Sequence, residues 1–296
     1  MQKYMAFFTH CNTDKLYAYA QLMRFDRPIG FLLLLWPTLA ALWVASDGFP
    51  RVDLFLIFSL GVVVMRSAGC VINDYADQDF DGHVERTKNR PIVSGQVTPQ
   101  EALMLLFCLL VIALILVLFI NTTTLYWAMV GASLTIFYPF AKRFTWFPQA
   151  VLGVTFAWSI PMAFTATEVG VSELTWLIYF TNLIWIIMYD TIYAMVDRED
   201  DIAIGVRSTA ILFGDADRML IGVMQIMALI GMIIMGNSLG FGWVYSLSMA
   251  LVCALFVWQQ MLIKERQPAQ CFRAFLNNNY VGIIWFLGVV LEYLLR

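Results

Sequence analysis

The sequence predicts an all-α integral membrane protein with about nine transmembrane helices in a single domain spanning residues 1–296. Of its 296 residues, 61% are hydrophobic and only 13% are charged, and the mean hydropathy is +0.75. A soluble domain would carry about a quarter charged residues. Apolar stretches of membrane-spanning length recur along the chain, and basic residues are concentrated in alternate loops. A net charge of −3 also argues against a nucleic-acid partner.

The spans were placed by length, because a bilayer core of about 30 Å needs about 20 apolar residues in a helix. The candidates lie near 28–46, 53–73, 100–120, 122–140, 148–167, 173–193, 218–236, 240–263 and 278–295. The third begins after Thr98, with Pro99 and Glu101 in its first turn. That order is typical of a capped helix start.

The charge distribution predicts the orientation. With the N-terminus in the cytoplasm, the loops on the opposite side hold only Arg51 and the terminal Arg296 as basic residues. This asymmetry follows the positive-inside rule and places the C-terminus outside. Two of the predicted cytoplasmic loops are long, at 74–99 and 197–217. Long ordered loops in a compact protein are usually functional.

Two polar clusters lie where predicted spans end on the cytoplasmic side. In the first, Asn73, Asp77 and Asp81 are four residues apart, which places them on one helical face. The second repeats this spacing with Tyr193, Asp197 and Asp201. Because both clusters lie on the same side of the membrane and run into the long loops, we expect two half-sites that face each other.

The acidic residues of these clusters predict bound divalent cations rather than ordinary helix ends. Carboxylates at a helix C-terminus oppose the helix macrodipole, and Asp74, Asp77, Asp79 and Asp81 would also repel one another. At about 5 Å and an effective dielectric of about 20, each such pair costs roughly 3 kcal/mol. Oxygen ligands without His or Cys select Mg²⁺ or Ca²⁺ over zinc. Because Mg²⁺ is often bound together with substrate phosphates, the clusters favour a metal-diphosphate site.

Several basic residues are candidates to bind the remaining phosphate oxygens: Arg66, Lys88, Arg90 and Arg207. Arg66 lies inside a span, seven residues before Asn73. An arginine within a membrane span is by default a candidate functional residue. The alternative for Arg66 is an ion pair with a motif aspartate, and for Lys88 and Arg90 a purely topological role. Lys142 and Arg143 could offer a cation to an anionic co-substrate or serve only to set topology. The segment 24–30 could line the mouth of the site or anchor the chain at the interface.

Both polar motifs, together with the segments Arg24–Pro37, Thr87–Gly95 and Gly205–Gly214, resemble the UbiA superfamily of intramembrane prenyltransferases. The resemblance covers nearly the whole chain. It implies a helical bundle around a central cavity under a cytoplasmic cap, located as a multi-pass protein in the bacterial inner membrane. The loops are most similar to those of 4-hydroxybenzoate polyprenyltransferases of ubiquinone biosynthesis.

The resemblance also assigns roles to individual residues. It implies two Mg²⁺ ions that bridge a prenyl diphosphate and are held by Asn73, Asp77, Asp81, Asp197 and Asp201. It places Tyr193 with the diphosphate-binding residues and Arg207 where the family pattern has Lys. Arg143 matches a position proposed to orient the carboxylate of the aromatic acid. The catalytic set is then Asp77, Asp81, Asp197, Asp201 and Arg143.

The implied reaction transfers a polyprenyl group to the ring carbon ortho to the hydroxyl of 4-hydroxybenzoate. The products are 3-polyprenyl-4-hydroxybenzoate and diphosphate. Polyprenyl diphosphate, 4-hydroxybenzoate and membrane lipid are the expected partners, and association with other enzymes of the quinone pathway is a further expectation. The proton acceptor stays open between a motif aspartate and the diphosphate.

Three alternatives remain open at the level of sequence. Other UbiA-type enzymes make menaquinone, haem O or chlorophyll-related products. A CDP-alcohol phosphotransferase motif is partly matched between Asp81 and Gly95, but Gln78, Pro99 and Leu103 stand where that motif needs aspartates. A cation-coupled transporter would place its ionisable groups near the membrane midplane, whereas these aspartates lie at the ends of predicted spans.

Overall fold

The computed structural model describes residues 13–82 and 87–296, except for the side chain of Phe80. Within these residues the chain is almost entirely helical. The helices are α1 (Thr13–Leu22), α2 (Ile29–Ala45), α3 (Val52–Ala76), α4 (Gln78–Asp81), α5 (Pro99–Leu118), α6 (Thr122–Phe137), α7 (Pro148–Ala157), α8 (Ser159–Ala166), α9 (Glu173–Ala194), α10 (Arg198–Ile204), α11 (Thr209–Phe213), α12 (Asp217–Ser238), α13 (Trp243–Leu262) and α14 (Pro268–Leu295). Short 3₁₀ segments lie at Tyr138–Arg143, Gly214–Ala216 and Ile263–Glu265.

The apolar helices establish a multi-pass membrane protein. In the described part of the chain, seven helical regions are long and apolar enough to cross a bilayer. They are Val52–Ala76, Pro99–Leu118, Pro148–Ala166, Glu173–Ala194, Thr209–Ser238, Trp243–Glu265 and Pro268–Leu295. The two other predicted spans are the shorter helices α2, with 17 residues, and α6, with 16. A helix therefore occupies each predicted span, while the count of nine crossings stays a prediction.

The last helix differs from its predicted start near residue 278. It begins at Pro268, a residue suited to the first turn because it has no N–H to donate. Polar residues lower the mean hydropathy of this extension, so the hydropathy of the sequence does not mark it as part of the span. Within the helix, however, Asn278 is fully buried, and its side-chain oxygen accepts a hydrogen bond of 3.0 Å from Trp185 Nε1 on α9. Such a bond between helices offsets the cost of burying both polar groups.

The helices form a closed ring in chain order. Each of α2, α3, α5, α6, α8, α9, α12, α13 and α14 packs against the next, and α14 packs against α2. The ring surrounds two cavities and a large buried apolar core, to which α2, α8, α9, α12, α13 and α14 contribute. Because α3 and α9 end on the same side of this ring, their last turns bring the two polar motifs to one end of the enclosed space.

Local sequence explains how the helix of the third span begins. The Thr98 side chain accepts from the N–H of Glu101, and the Glu101 carboxylate accepts from the N–H of Thr98 at 2.8 Å. This reciprocal capping box, with Pro99 at the first position, confirms the predicted start. The positive φ of Arg24, 64°, turns the chain between α1 and α2.

Both polar motifs are divided between two helices, which corrects the expectation of one continuous helical face. Helix α3 ends at Ala76, and Asp77 is its C-terminal cap before the short α4. Helix α9 ends at Ala194, whereas Asp197 caps the N-terminus of α10. The break moves Asp197 and Asp201 from an unfavourable helix C-terminus to the start of a new helix, where the macrodipole favours negative charge.

Candidate active site

A cavity of about 1120 Å³ lies where α3 and α9 end. Its lining includes the polar residues of both motifs: Asn73, Asp74, Asp77, Asp81, Asp190, Tyr193, Asp197 and Asp201. The structure therefore brings the two sequence motifs to a single space. The segment from Arg24 to Gly30 contributes Arg24, Asp26, Arg27, Pro28, Ile29 and Gly30 to the wall, as the first of its two sequence alternatives predicted.

Asp74 is the most deeply buried acid of the first motif, with 1% of its surface exposed. Its two carboxylate oxygens lie 2.7 and 2.9 Å from Nη2 of Arg24, and Oδ1 lies 3.0 Å from Nη1 of Arg90. A buried carboxylate must be paired, and here two guanidinium groups supply the charge. Asp74 therefore holds both arginines at the cavity wall.

Asp77 and Asp81 also contact cationic side chains. Lys142 Nζ contacts Asp77 Oδ2, and Arg90 Nη1 contacts Asp81 Oδ2. Burial raises the pKa of the Asp81 carboxyl even though Arg90 acts in the opposite direction. The second oxygen of Asp77, Oδ1, is buried and accepts no hydrogen bond from any residue that the structure describes. A buried carboxylate oxygen without a partner costs free energy unless a ligand satisfies it.

The second motif lines the same cavity. The ring of Tyr193 lies 4.6 Å from that of Phe275 on α14, so that the last turn of α9 is packed against the last helix. Asp197 and Asp201 are half-buried, and the N–H of Asp201 donates to the Asp197 carbonyl at 2.8 Å. This bond retains the four-residue spacing on α10 after the break.

Arg66 lies on α3, about two helical turns before Asn73. Its guanidinium carbon lies 5.4 Å from the centre of the Phe156 ring, and Nη1 lies 3.0 Å from Cys70 Sγ. Nε is buried and has no hydrogen-bond partner in the described part of the chain. Among the residues that the structure describes, Arg66 forms no ion pair with a motif aspartate, so the sequence alternative of a structural pair is not observed.

The other predicted basic residues divide into two groups. Arg90 and Arg207 line the cavity, and Arg207 is held by the carbonyl of Phe144 at 3.1 Å and the ring of Trp146 at 5.2 Å. Lys88 is exposed and is not among the described residues of the lining, whereas its neighbour Asn89 is.

The predicted role of Arg143 with the aromatic acid stays a prediction. Arg143 donates to the carbonyl of Ala76 and packs over Phe140, and it is not among the described lining residues. Lys142 does line the cavity. Both basic residues are candidate cations for an anionic co-substrate from their sequence position, and the family resemblance implies the role of Arg143. The 3₁₀ turn of Tyr138–Arg143, which directs neighbouring side chains to different sides, has no clear sequence signal apart from Pro139.

A second, apolar cavity of about 270 Å³ continues from the first. Arg66 and Phe156 line both spaces and therefore lie at their junction. Its walls come from α2, α3, α5, α6, α7 and α8, mostly with aliphatic side chains. Gly61 faces this cavity, and a Cβ built on it would meet no atom within 4 Å. The combined space is polar at the motifs and apolar beyond Arg66.

The residues of the polar cavity fit a hard divalent cation better than zinc or copper. The candidate ligands are carboxylates and the side-chain oxygen of Asn73, the oxygen donors that Mg²⁺ prefers. Within residues 13–82 and 87–296, no three His, Cys, Asp or Glu side chains converge closely enough to enclose an ion by themselves. Asp77 Oδ1, which is buried and not bonded within the described residues, fits a role as a ligand of such an ion. Such an open set suits a cation that is shared with a substrate.

Comparison with known proteins decides the family. Residues 34–286 match the model of the UbiA prenyltransferase family. The chain belongs to this family. A 4-hydroxybenzoate octaprenyltransferase from Saccharophagus degradans is 54% identical over 280 residues, covering 95% of this chain and 94% of that protein. One from Providencia stuartii is 49% identical over 281 residues, covering 95% and 98%. The resemblance seen in the sequence is confirmed.

Solved structures of family members have the same fold. A UbiA homologue from Aeropyrum pernix K1 aligns with a TM-score of 0.78 at 24% identity, covering 88% of this chain and 97% of that one. A homologue from Archaeoglobus fulgidus, solved with GPP and Mg²⁺, aligns with a TM-score of 0.71 at 16% identity, covering 92% and 99%. At these identities the likeness establishes the fold.

Proposed function

We propose that this protein transfers a polyprenyl group from polyprenyl diphosphate to the ring carbon ortho to the hydroxyl of 4-hydroxybenzoate. The observation that carries the proposal is one cavity in which both aspartate motifs meet and from which an apolar cavity continues beyond Arg66. The names of the relatives with about half of their residues identical support the choice of acceptor. Family membership favours this function over a phosphotransferase or a transporter.

The proposed site holds two Mg²⁺ ions. Asn73, Asp77 and Asp81 would bind on one side of the cavity, and Asp197 and Asp201 on the other. When bound, the metal would neutralise the diphosphate and stabilise it as a leaving group. The Archaeoglobus fulgidus homologues solved with GPP and Mg²⁺ or with Cd²⁺ support a divalent cation in this family.

Basic residues around the cavity would bind the phosphate oxygens that the metal leaves exposed. Arg66, Arg90 and Arg207 line the cavity and can each donate two hydrogen bonds to a phosphate. Lys88 could join them only if its exposed side chain turned inward. Tyr193, on the wall between Asp190 and Asp197, offers a hydroxyl donor to the same group.

The reaction breaks the bond between the prenyl C1 atom and the diphosphate oxygen and forms a bond between C1 and the ring carbon. Diphosphate carries away the electron pair of the broken bond. The ring carbon then loses its proton to a motif aspartate or to the diphosphate, which restores aromaticity. Positive charge develops on the allylic carbon, so water must be kept away from it. The apolar walls beyond Arg66 and the ring of Phe156 exclude water there and accommodate the isoprenoid chain.

The acceptor must bind through its carboxylate. We propose Lys142 as the cation that meets it, because Lys142 lines the cavity beside Asp77, and we retain Arg143 as the candidate indicated by family resemblance. We also propose that the cavity opens to the cytoplasm from the inner membrane, following the distribution of basic residues. Association with other quinone-pathway enzymes stays a prediction.

The test uses purified full-length protein in detergent or nanodiscs with Mg²⁺, 4-hydroxybenzoate and prenyl diphosphates of several lengths. Mass spectrometry should detect 3-polyprenyl-4-hydroxybenzoate, and the signal should disappear with a chelator and return with added Mg²⁺. An inactive result with every donor would overturn the proposed acceptor. Product formation that persists at full rate after chelation would overturn the metal assignment.

A further inference from the structure

A buried carboxylate outside the cavity lies directly behind the second aspartate motif. Asp217, at the start of α12, is 0% exposed, and it is not among the described residues that line the cavity. Its Oδ2 atom accepts from Nη1 of Arg198 at 3.2 Å. Arg198 is the first residue of α10 and directly follows Asp197. Asp217 is therefore one side chain away from a proposed metal ligand.

The same carboxylate is held by a second arginine from another part of the chain. Arg266, between α13 and α14, donates from Nε at 3.0 and 3.1 Å and from Nη2 at 2.7 Å to Asp217. Nη2 also donates to the carbonyl of Asp215 at 2.9 Å. Because each end of the carboxylate is bonded, Asp217 cannot shift without breaking several charge-assisted hydrogen bonds.

The backbone of Arg266 shows that this arrangement is imposed by its surroundings. Its φ is +52°, a left-handed conformation that is unfavourable for a non-glycine residue. The ion pair with Asp217 offsets this cost. Strained residues of this kind persist where the surrounding contacts determine the geometry. The cluster of Arg198, Asp217 and Arg266 is thus a rigid support between α10, α12 and the α13–α14 connection.

Arg198 belongs to a segment whose acidic side chains repel one another. Asp197, Glu199, Asp200 and Asp201 lie within five residues, and Arg198 is the only basic residue among them. The side chain of Arg198 is directed to Asp217 rather than into the cavity. Fixing Arg198 fixes the first turn of α10, and with it both Asp197 and the backbone-bonded Asp201.

We propose that Asp217 is a positioning residue for the second half of the metal site: through Arg198 it sets where Asp197 and Asp201 lie. This inference rests on the proposed function, because it takes those two residues to be metal ligands. Residues behind a metal ligand typically change metal affinity by 10- to 100-fold when they are replaced. We expect a change in metal affinity of the same size when Asp217 is replaced, although Asp217 does not contact the substrate.

The experiment measures metal binding without turnover. Full-length protein receives geranyl diphosphate and increasing Mn²⁺ in the absence of aromatic acid, and electron paramagnetic resonance reports free Mn²⁺. We expect Asp217→Asn and Arg198→Gln each to raise the half-saturating Mn²⁺ concentration by about tenfold or more. The double variant should require no more Mn²⁺ for half-saturation than the weaker-binding single variant. The reason is that both substitutions remove the same contact between Asp217 and Arg198, so that their effects do not add.

Glu292→Gln is the matched control. Glu292 is also a buried carboxylate, 7% exposed, and accepts from the N–H of Tyr245 at 2.8 Å, but it lies near the end of α14 away from the motifs. This variant should lose stability and keep the Mn²⁺ titration of the unmodified protein. If Asp217→Asn does not fold, the titration of Arg198→Gln tests the proposal by itself, because Asp217 keeps its ion pair with Arg266 in that variant.

Two results would overturn the inference. In one, the unmodified protein binds Mn²⁺ with geranyl diphosphate, and Arg198→Gln gives the same titration. In the other, Glu292→Gln weakens Mn²⁺ binding as much as Asp217→Asn, which would indicate a general loss of stability. Absence of Mn²⁺ binding by the unmodified protein would instead overturn the proposed metal site itself.

Discussion

The two aspartate motifs reach the same cavity but are held in different ways. In the first, Asp74, Asp77 and Asp81 are 1%, 3% and 6% exposed, and cationic side chains contact each of them directly. In the second, Asp197 and Asp201 are half-buried, and the adjacent Arg198 turns away to Asp217. Described cationic side chains neutralise the first motif within the cavity, whereas the arginine beside the second motif is held by the buried carboxylate of Asp217.

This difference follows from burial. At about 4 Å and an effective dielectric of about 20, one opposite charge stabilises a carboxylate by roughly 4 kcal/mol before its desolvation is counted. The deeply buried acids of the first motif need such partners to remain ionised. The acids of the second motif are more exposed, and Arg198, which lies between them in the chain, is held in place by Asp217. The two halves of the site therefore differ in burial.

The largest expected effect is the loss of a proposed metal ligand from either half. Asp77→Ala and Asp197→Ala should each lower turnover by about a thousandfold, the upper end of what removing one electrostatic group costs. The measurement is the initial rate of prenylated product by mass spectrometry, with thermal unfolding to verify that each variant folds. Asp200→Asn, on α10 but not among the described lining residues, is the control. Unchanged turnover in either alanine variant would contradict the proposal that both motifs supply metal ligands.

A second prediction concerns the charge balance of the first motif. Asp74→Asn should lower stability by about 3 kcal/mol, because Arg24 and Arg90 would lose a buried partner. The unfolding midpoint should fall accordingly, and adding Arg24→Gln to Asp74→Asn should recover part of the loss. A midpoint equal to that of the unmodified protein would show that the first motif does not depend on internal neutralisation.

The third prediction separates two neighbouring cations. Lys142→Gln should raise KM for 4-hydroxybenzoate by about tenfold, the loss of one charge-assisted hydrogen bond. Arg143→Gln should change this KM less, because its side chain bonds to the Ala76 carbonyl. Steady-state kinetics at saturating donor measures both. A larger effect at Arg143 would instead support the role that family resemblance assigns to it.

The smallest expected effect lies in the apolar cavity. Gly61→Leu should lower kcat/KM severalfold for a long donor and leave geranyl diphosphate nearly unaffected, because the new side chain would occupy space that only a long chain reaches. Competition between octaprenyl and geranyl diphosphates measures the ratio directly. Equal losses for both donors would mean that the isoprenoid chain does not enter this cavity. Gly153→Ala, whose Cβ would meet Leu183 and Ile187 outside that cavity, is a control for helix packing.

Much of the architecture could be predicted from local sequence. Apolar length placed a helix at every predicted span, and Thr98, Pro99 and Glu101 marked one helix start to the residue. These features depend on contacts within a few residues or on the transfer of a segment into lipid, so neighbours elsewhere in the chain scarcely alter them. The same short-range reasoning missed the ten residues of α14 that begin at Pro268, where the polar Asn277 accepts a hydrogen bond from Gln259 on α13.

The types and spacing of the motif residues were therefore enough to predict a membrane-embedded, acid-rich site at the ends of two helices. Only the tertiary structure decided which cation meets which acid. Arg24 reaches Asp74 from 50 residues away, Lys142 rather than Arg143 faces the cavity, and Arg266 joins Arg198 on Asp217. These pairings depend on how the ring of helices closes. Closure is set by packing among distant segments, which no local pattern encodes.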